Sequence, residues 1–372
     1  MARTGFANLP LHGGAAPKWL FKRMVKLSEG IIDIIIDEYG VIGFLKRISD
    51  PFWFQCLSCV LGFDWHSSGC TTVTCGALNE AIKPEEHGFA IAGGKGKASR
   101  KTLEQIEKIG GVYNLSTSKI KNLQYSSRMT AKVDNTAIQD GHSLYHHVLF
   151  FTEDGTWGVI QQGMNTITNY ARRYHWFSKD FDYFICDPHK GIIGEKSNEK
   201  VLDMSSSSSI STQNTSVDLV CDNPFHLRSD FARLKKPIYQ STLDSFSNKD
   251  IFKKNIFCLD MPRSINWNKM REIYEFQPKD YEELLSLKGV GPNTVRALAL
   301  ISDLIYGDRP SWKDPVKYSF TVGGKDGVPF PVDRKAMDES TDIIKSAINQ
   351  SKIGNKEKIY AIKRLNKFFD LN

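Results

Sequence analysis

The spacing of apolar positions predicts helices at the start of the chain. Pro17 fits the first position of a helix, and the stretch "KWLFKRMVKL" after it carries apolar residues at helical spacing. The same spacing predicts a second helix over about 29–38 and a third over about 40–48. Asp50 then suits an N-cap, and Pro51 suits the first turn of a fourth helix.

The middle of the chain has a different pattern. Between about Phe89 and Phe184, Gly and Thr alternate with β-branched or aromatic residues, which is typical of strands. Helical spacing returns from about residue 220. In between, "SNEKVLDMSSSSSISTQNTSVD" (197–218) is poor in aromatic residues and predicts a linker or long surface loop. We therefore expect an α+β chain, with N-terminal helices packed with a β-rich layer over 1–196 and an all-α domain over 219–372.

A β-hairpin is predicted near the centre of the strand-rich part. Asp154-Gly155 between two apolar runs is a strong signal for a two-residue turn. Such a turn places His147 opposite Gln162 on one buried face, where an amide and an imidazole both need hydrogen-bond partners. The pair is then either an internally bonded part of the core or part of a site. An alternative interpretation makes "HSLYHH" helical, with two His at i and i+4 like metal ligands.

Polar residues around this hairpin and in the loop "GFDWHSSGCTT" are candidates for hydrolytic chemistry. In metal-assisted hydrolysis, carboxylates hold Mg²⁺ or Mn²⁺ and a His often moves a proton. The predicted metal ligands are Asp64, His66, Asp134 and Asp140. The predicted catalytic residues are Asp64, His66, Asp140, His142, His147, Gln162, Arg173 and His175. The alternative is that the residues around the hairpin form a solvated strand–loop edge.

Two basic features suit a phosphate backbone. The loop "AIAGGKGKASRKT" combines three Gly with cations, which allows close approach of its backbone to an anion. Its spacing matches neither the P-loop nor the dinucleotide-binding fingerprint. Paired Arg residues in "ARRYHW" have aromatic neighbours, as in sites that hold phosphates. The predicted DNA contacts in these two stretches are Lys95, Lys97, Arg100 and Arg172. An ordinary surface loop is the alternative for the first stretch.

The stretch "LLSLKGVGPNTVRALAL" predicts two short helices joined by a tight turn. A Gly-rich turn at a helix N-terminus exposes backbone N–H groups, which form a ready phosphate site. This stretch resembles a helix-hairpin-helix motif, and the resemblance implies binding of the DNA backbone without reading of base sequence. The residues that would make these contacts are Lys288, Gly289, Gly291, Asn293, Thr294 and Arg296.

A further resemblance concerns DNA glycosylases of the helix-hairpin-helix class. These enzymes carry a Val-Asp motif downstream of the hairpin, and "GVPFPVDRKAMDE" supplies Val332-Asp333 here. The resemblance implies that Asp333 stabilises positive charge at the sugar. Asn293 stands where bifunctional members have a nucleophilic Lys, so lyase chemistry is not expected. The alternative is that Asp333 caps or salt-bridges the helix that follows.

Over its whole length the chain resembles an archaeal and bacterial family known as domain of unknown function seven-six-three. The resemblance rests on stretches that include "LPLHGGAAPKWLFKRM", "AIAGGKGKASRKT", "KVDNTAIQDGHSLYHH" and "FPVDRK". It implies one architecture in which the His-rich domain and the hairpin domain act together. The family name supplies no activity.

Composition narrows the class of protein. The chain has 372 residues, enough for two or three domains, and a net charge of +7, which permits a nucleic-acid partner. Seven Cys is an odd count, and with no signal-peptide pattern a disulfide framework is not expected. Four of them, Cys56, Cys59, Cys70 and Cys75, either bind zinc or pack in the core. Because no apolar run is long enough to span a membrane, we expect a cytoplasmic protein.

These observations predict a DNA-processing enzyme, namely a metal-dependent nuclease that acts on structured or damaged DNA. In this interpretation the hairpin grips the DNA backbone while the His-rich part performs the chemistry. Nucleases that cut both strands are often dimers, so a homodimer is one expectation. The alternatives are a non-catalytic DNA-binding or architectural protein and a DNA glycosylase that uses Asp333.

Overall fold

The computed structural model describes residues 8–11, 13, 16–62, 67–197, 200–235, 261–316, 334–350 and 354–370. The helices are α1 (Lys18–Ile48), α2 (Pro51–Leu61), α3 (Ser68–Ala81), α4 (Pro84–His87), α5 (Thr102–Val112), α6 (Thr117–Lys132), α7 (Ile210–Cys221), α8 (Pro224–Lys235), α9 (Trp267–Phe276), α10 (Tyr281–Ser286), α11 (Pro292–Ile301), α12 (Arg334–Gln350) and α13 (Asn355–Asp370). The strands are β1 (Leu9–Pro10), β2 (Phe89–Lys95), β3 (Ile138–Gln139), β4 (Ser143–Thr152), β5 (Trp157–Asn165), β6 (Tyr170–Phe177), β7 (Gly191–Ile193) and β8 (Leu202–Asp203).

The N-terminal helices are confirmed, with one difference. The first two predicted helices form one continuous helix, whereas the predicted break before the third is confirmed, because two helical segments of α1 meet at a kink where Gly40 leaves helical geometry at φ 70°. Gly adopts this left-handed conformation without steric cost, so the helix kinks there and continues. The predicted cap of α2 is also confirmed, since the Asp50 carboxylate accepts from the N–H groups of Phe52 and Trp53 at 2.9 and 3.0 Å.

An antiparallel sheet occupies the middle of the chain, and the α+β class is confirmed. Its strand order is β1-β6-β5-β4-β2, with β7 paired to β6, while β3 and β8 form a separate pair. The part predicted to be rich in strands also contains two helices, α5 and α6. These helices follow β2 and return to pack beside the sheet.

Each face of the sheet packs against helices. On one face, Val148, Phe150 and Ile160 pack with α1, α2, α12 and α13, and Ile344 and Leu365 from the C-terminal helices belong to this core. On the other face, residues such as Leu149, Val159 and Trp176 pack with α6, α7 and α9–α11. Segments on both sides of the predicted boundary at 197–218 therefore contribute to both cores.

The predicted hairpin forms, but its predicted register is wrong by one residue. Asp154 accepts from the Thr156 N–H at 3.1 Å and its Oγ1 at 2.9 Å, and Thr152 N–H donates to the Thr156 carbonyl at 3.0 Å. The loop therefore contains three residues rather than two. As a result His147 lies opposite Gln161, and Gln162 lies opposite His146 on the other face. The alternative helix through "HSLYHH" is also wrong, because β4 spans this stretch.

The predicted linker over 197–218 is wrong for most of its length. Residues 202–203 form β8, and most of α7 follows within the same stretch. Polar side chains of α7 are buried because neighbouring backbone groups satisfy them. Gln213 donates to the carbonyls of Met204 and Ile185 at 2.8 and 2.9 Å, and Thr212 donates to the carbonyl of Asp308 at 3.0 Å.

The buried residues include Cys56 and Cys59 on α2 and Cys70 and Cys75 on α3, which agrees with core packing. Burial raises the pKa of the Cys75 thiol to about 12, because the charged thiolate loses its hydration there. Within the part of the chain that the structure describes, no group of three or more His, Cys, Asp or Glu is placed to hold a metal ion. In the same described part, none of the helices is both long and apolar enough to cross a bilayer.

Candidate nucleic-acid interface and buried polar clusters

The helical hairpin presents its turn to solvent. Asp280 caps α10 by accepting from the Glu283 N–H at 2.7 Å, and the turn passes through Gly289 at φ 94°, a left-handed conformation that favours Gly. Gly291 is the N-cap of α11 and has no side chain to cap the first N–H groups. Lys288 and Asn293 on either side are exposed. The turn therefore offers a cation and an uncapped helix N-terminus at the surface.

Lys132, the last residue of α6, holds the turn from behind. Its ammonium group donates to the carbonyl of Leu287 at 3.0 Å and to that of Val290 at 2.5 Å. Burial lowers the pKa of Lys132. Both hydrogen-bond acceptors are neutral carbonyls, so the positive charge of Lys132 stays close to the turn.

Gln139 fixes the start of α11 in the same way. Its amide donates to the carbonyl of Pro292 at 2.9 Å and accepts from the Arg296 guanidinium at 3.1 Å. Arg296 is thus half-buried against protein groups, and the Thr294 side chain is only 4% exposed. Neither of these two predicted DNA contacts presents its side chain freely to solvent, because both face the packed side of α11.

The glycine-rich loop after β2 lies at the surface, as predicted. Lys95, Lys97 and Arg100 are all exposed. Gly93 has φ 108°, and a Cβ there would lie 2.1 Å from the carbonyl oxygen of His147. Only Gly allows β2 to approach β4 this closely before the chain turns into the loop.

Asp134 is the centre of a buried network on the face that packs with α6. Its carboxylate accepts from Gln161 at 2.6 Å, Trp176 at 3.0 Å and His189 at 2.5 Å. Burial raises the pKa of Asp134, although His189 acts in the opposite direction. The Gln161 amide oxygen also accepts from Nδ1 of His147 at 2.9 Å, so the network reaches β4.

Asp140 forms a second buried network on the same face. It accepts from Arg172 at 2.8 Å, from the Tyr174 hydroxyl at 2.6 Å and from the His142 N–H at 2.9 Å. Burial alone would raise the pKa of Asp140, but Arg172 and these hydrogen bonds outweigh it and hold the pKa well below its usual range. Arg172 also pairs with Asp314 at 2.8 Å. The prediction that Arg172 contacts DNA does not fit, because its guanidinium is buried between two carboxylates.

The arrangement around Asp134 and Asp140 does not fit a Mg²⁺ or Mn²⁺ ion. N–H and O–H donors point at their carboxylate oxygens, and Arg172 already supplies positive charge to Asp140. A metal ion would need these donors to move away. These two residues therefore connect strands and loops within the core, and the predicted ligand set is reduced to Asp64 and His66. Those two, like Asp333, lie outside the described residues.

A row of polar side chains crosses the opposite face of the sheet. Lys95, His146, Gln162 and Arg173 lie directly opposite one another on β2, β4, β5 and β6, so they share that face. A β-bulge at Tyr145 interrupts β4 at the row. Bulges of this kind re-aim side chains and are common beside functional sites. We call these four residues the polar row.

The start of α3 covers the polar row. Gln162 donates to the carbonyl of Ser68 at 2.9 Å and to the Tyr145 hydroxyl, and it accepts from the hydroxyl of Thr71. Arg173 is buried, lies over the Phe54 ring at 4.6 Å and donates to Gln55 at 3.4 Å. The polar row is thus tied to both α2 and α3.

The whole-chain comparison identifies the family. A family model described as "Protein of unknown function (DUF763)" matches residues 5–332. The chain belongs to this family. The match begins ahead of β1 and continues past α11, so the DUF763 region contains the sheet and the helical hairpin together, whereas α12 and α13 lie beyond it. No curated protein and no solved structure matches the chain.

His146 is a candidate of this DUF763 protein that the sequence indicated only in the alternative interpretation, as one of two metal ligands on a helix. It is 1% exposed, and neither ring nitrogen has a hydrogen-bond partner among the described residues. Burial lowers the pKa of His146 to about 3, with His147 and Lys95 acting in the same direction. The available signal was the pair His146-His147, because consecutive strand residues point to opposite faces in any register.

The other predicted catalytic side chains lie on both faces. His147 and His142 are on the side of the two Asp networks, and His147 is bonded to Ser127 at 2.8 Å. Gln162, Arg173 and His175 lie on the polar-row side, where burial holds the pKa of His175 well below its usual range. The sheet therefore separates those predicted catalytic residues that the structure describes into two groups, one on each face.

Proposed function

We propose that this DUF763 protein binds the phosphate backbone of DNA through the hairpin of α10 and α11. The observation that carries the proposal is the exposed, uncapped N-terminus of α11 beside Lys288. Backbone N–H groups at a helix N-terminus bind phosphate oxygens, and the helix dipole favours the negative charge. Such contacts position a duplex and carry no base information, so binding without sequence preference is expected.

The geometry of the turn supports this proposal. Lys132 and Gln139 hold the turn from the protein side, through the carbonyls of Leu287, Val290 and Pro292. These carbonyl oxygens would repel a phosphate, but they point into the protein and accept hydrogen bonds from Lys132 and Gln139. The solvent-facing side of the turn therefore carries N–H donors and the cation Lys288, both of which attract a phosphate.

Asn293→Asp tests the proposal. A carboxylate in the first turn stabilises a helix but repels a phosphate, so the variant separates binding from folding. We expect duplex affinity at low salt to fall about tenfold or more while the unfolding free energy stays the same or rises. Fluorescence anisotropy with a labelled blunt duplex, together with urea unfolding, measures both.

Ser118→Asp is the matched control, because Ser118 is exposed in the first turn of α6, at the opposite end of that helix from Lys132. It introduces the same charge at an equivalent helix position and should leave affinity within about twofold. If Asn293→Asp binds duplex as the unsubstituted protein does, the hairpin is not the backbone site.

A metal-dependent nuclease is the second candidate function. The observation that favours it is the polar row beneath the start of α3, since Asp64 and His66 directly precede the N-cap Ser67 in the chain. A Mg²⁺ or Mn²⁺ ion held by these two residues would activate water for hydrolysis of a phosphodiester. Asp134 and Asp140 have no part in this proposal, because their oxygens are bonded to protein donors.

Incubation of structured and damaged DNA with Mn²⁺ tests the chemistry on a denaturing gel. For a nuclease we expect cleavage that EDTA and Asp64→Asn each abolish, while duplex binding is retained. Breaks that appear only after hot alkali, resist EDTA and disappear in Asp333→Asn indicate the glycosylase alternative instead, because base removal alone leaves the backbone intact. If no condition gives a product and binding is intact, the protein is a DNA-binding protein without nuclease activity.

A further inference from the structure

A half-open groove lies between α6 and the helical hairpin, directly beside the proposed backbone site. Its volume is about 620 Å³, and residues of α6, of the turn that follows α6 and of the hairpin line it. Lys288 belongs both to the groove and to the exposed hairpin turn. Lys132 lines the groove and also holds the turn carbonyls. The groove and the hairpin turn therefore form one continuous surface.

The charge of the groove is positive. Arg128, Lys132 and Lys288 line it, and Asn135 adds a side-chain amide. Arg128, Asn135 and Lys288 are exposed. None of the described residues that line the groove carries a carboxylate. A groove with three cations and no acid attracts an anionic chain, and its position continues the path of a backbone held at the hairpin.

One wall of the groove is apolar. The Tyr125 ring lines it, together with Met129 and Ala131. The Tyr125 hydroxyl donates to Glu282 at 2.9 Å, and its ring meets Phe184 edge to face with the centroids 5.9 Å apart. The ring is therefore held in place. Cations beside a fixed aromatic wall are the arrangement that binds the sugar, base and phosphate of a single strand.

The size of the groove indicates whether it can hold a single DNA strand or a duplex. Its volume lies within the range of pockets that hold small molecules, about 300–1,000 Å³, which suits a nucleotide unit. A duplex is far too wide to enter, although it can lie across the exposed hairpin turn. We propose that the groove binds an unpaired nucleotide of a DNA strand whose adjoining duplex is held by the hairpin. The protein accordingly prefers a duplex with a single-stranded extension to a blunt duplex. The duplex part of this inference rests on the proposed function.

Four DNA probes and two variants test the inference on the full chain. The probes are a blunt duplex, the same duplex with a short 5′ single-stranded extension, the same duplex with a short 3′ extension, and the extension alone as an oligonucleotide. Arg128→Gln removes an exposed groove cation, and Lys46→Gln removes an exposed cation of α1, which packs on the other face of the sheet. Binding is measured by fluorescence anisotropy over a series of salt concentrations.

We expect one of the extensions to raise the affinity for duplex about tenfold, and Arg128→Gln to remove that gain while blunt-duplex binding is unchanged. The salt slope for extended DNA should fall by about 0.7 in Arg128→Gln, as for one single-strand phosphate contact. Lys46→Gln should behave as the unsubstituted protein does. Circular dichroism and the thermal midpoint confirm that both variants are folded.

The inference is overturned if neither extension raises affinity, or if Arg128→Gln weakens blunt and extended duplexes equally. The proposed function fails separately, through Asn293→Asp or through absence of blunt-duplex binding. If the oligonucleotide alone is bound through Arg128 while blunt duplex is not bound at all, the groove is a single-strand site and the hairpin proposal is wrong.

Discussion

At the scale of single residues, His146 and His147 show how different two neighbours can be. Both are buried in β4, but they lie on opposite faces of the sheet. His147 is bonded to Ser127 and Gln161, whereas His146 has no hydrogen-bond partner among the described residues. A buried imidazole without partners adds nothing to stability that an apolar side chain would not add. Replacing His146 by an apolar side chain should therefore cost little unfolding free energy.

Acid is expected to destabilise the protein through this pair. Burial lowers the pKa of His147 to about 4 and that of His146 to about 3, so both are neutral in the folded protein. The unfolded chain binds protons below about pH 6.5, and stability rises with pH wherever the unfolded state binds more protons. The unfolding free energy should therefore fall as the pH drops from about 6.5 through both folded-state values. In His146→Leu this fall should be smaller, and the unfolding free energy at neutral pH should be unchanged or higher. Urea unfolding over a pH series measures both effects.

His147→Leu is the matched control, with the same change one residue away. It should lose about 1–3 kcal/mol of unfolding free energy at neutral pH, because Ser127 and Gln161 each lose a buried partner. Equal losses in the two variants would contradict the structure, since they would mean that His146 makes hydrogen bonds as His147 does.

At the scale of elements, the sequence predicts the start of a helix correctly where the residues at that start are typical of a helix N-terminus. Asp50-Pro51 starts α2, and Gly291-Pro292 starts α11, as the sequence predicts. The β-hairpin was harder, because the side chain of Asp154 closes a three-residue loop that the dipeptide Asp-Gly alone does not reveal. Since side chains alternate along a strand, that single extra residue moved Gln162 to the opposite face from His147.

Composition was misleading for α7. Its Ser, Thr and Asn residues are typical of a solvated loop, and nothing in the stretch itself shows that partners are available. The partners lie elsewhere in the chain, at the carbonyls of Ile185, Met204 and Asp308. A buried polar helix is predicted from sequence only when both the donors and their distant acceptors are known.

At the scale of the whole molecule, the predicted halves share their cores. Residues 1–196 contain the sheet, but α12 and α13 complete the core on one face, and α7 with α9–α11 completes the core on the other. Arg364 of α13 also donates to the carbonyl of Val60 at 3.0 Å. The packing of residues 219–372 against residues 1–196 therefore forms part of both hydrophobic cores.

A fragment of residues 1–196 is accordingly expected not to fold alone. It would expose the apolar surface that covers Ile344 and Leu365 on one side and Leu284 and Leu298 on the other. The whole chain should unfold in one cooperative step, whereas the fragment should show no cooperative thermal transition by circular dichroism. Co-expression with residues 197–372 is the control and should restore a soluble, folded complex. A fragment that unfolds cooperatively by itself would support independent domains.

The sequence by itself determined the α+β class, the capped start of α2, the start of α11 at Gly291-Pro292, the position of the hairpin turn and the basic glycine loop. Each of these depends on side chains within a few residues of one another, so local spacing and turn chemistry suffice. Tertiary structure alone decided which polar residues meet. It bonded Asp134 and Asp140 into the core, brought Lys288 beside Arg128 and Lys132 at the groove, and buried His146 where none of the described residues bonds its ring nitrogens. Those outcomes depend on register and on contacts between distant segments, because burial and hydrogen-bond satisfaction are properties of the packed chain.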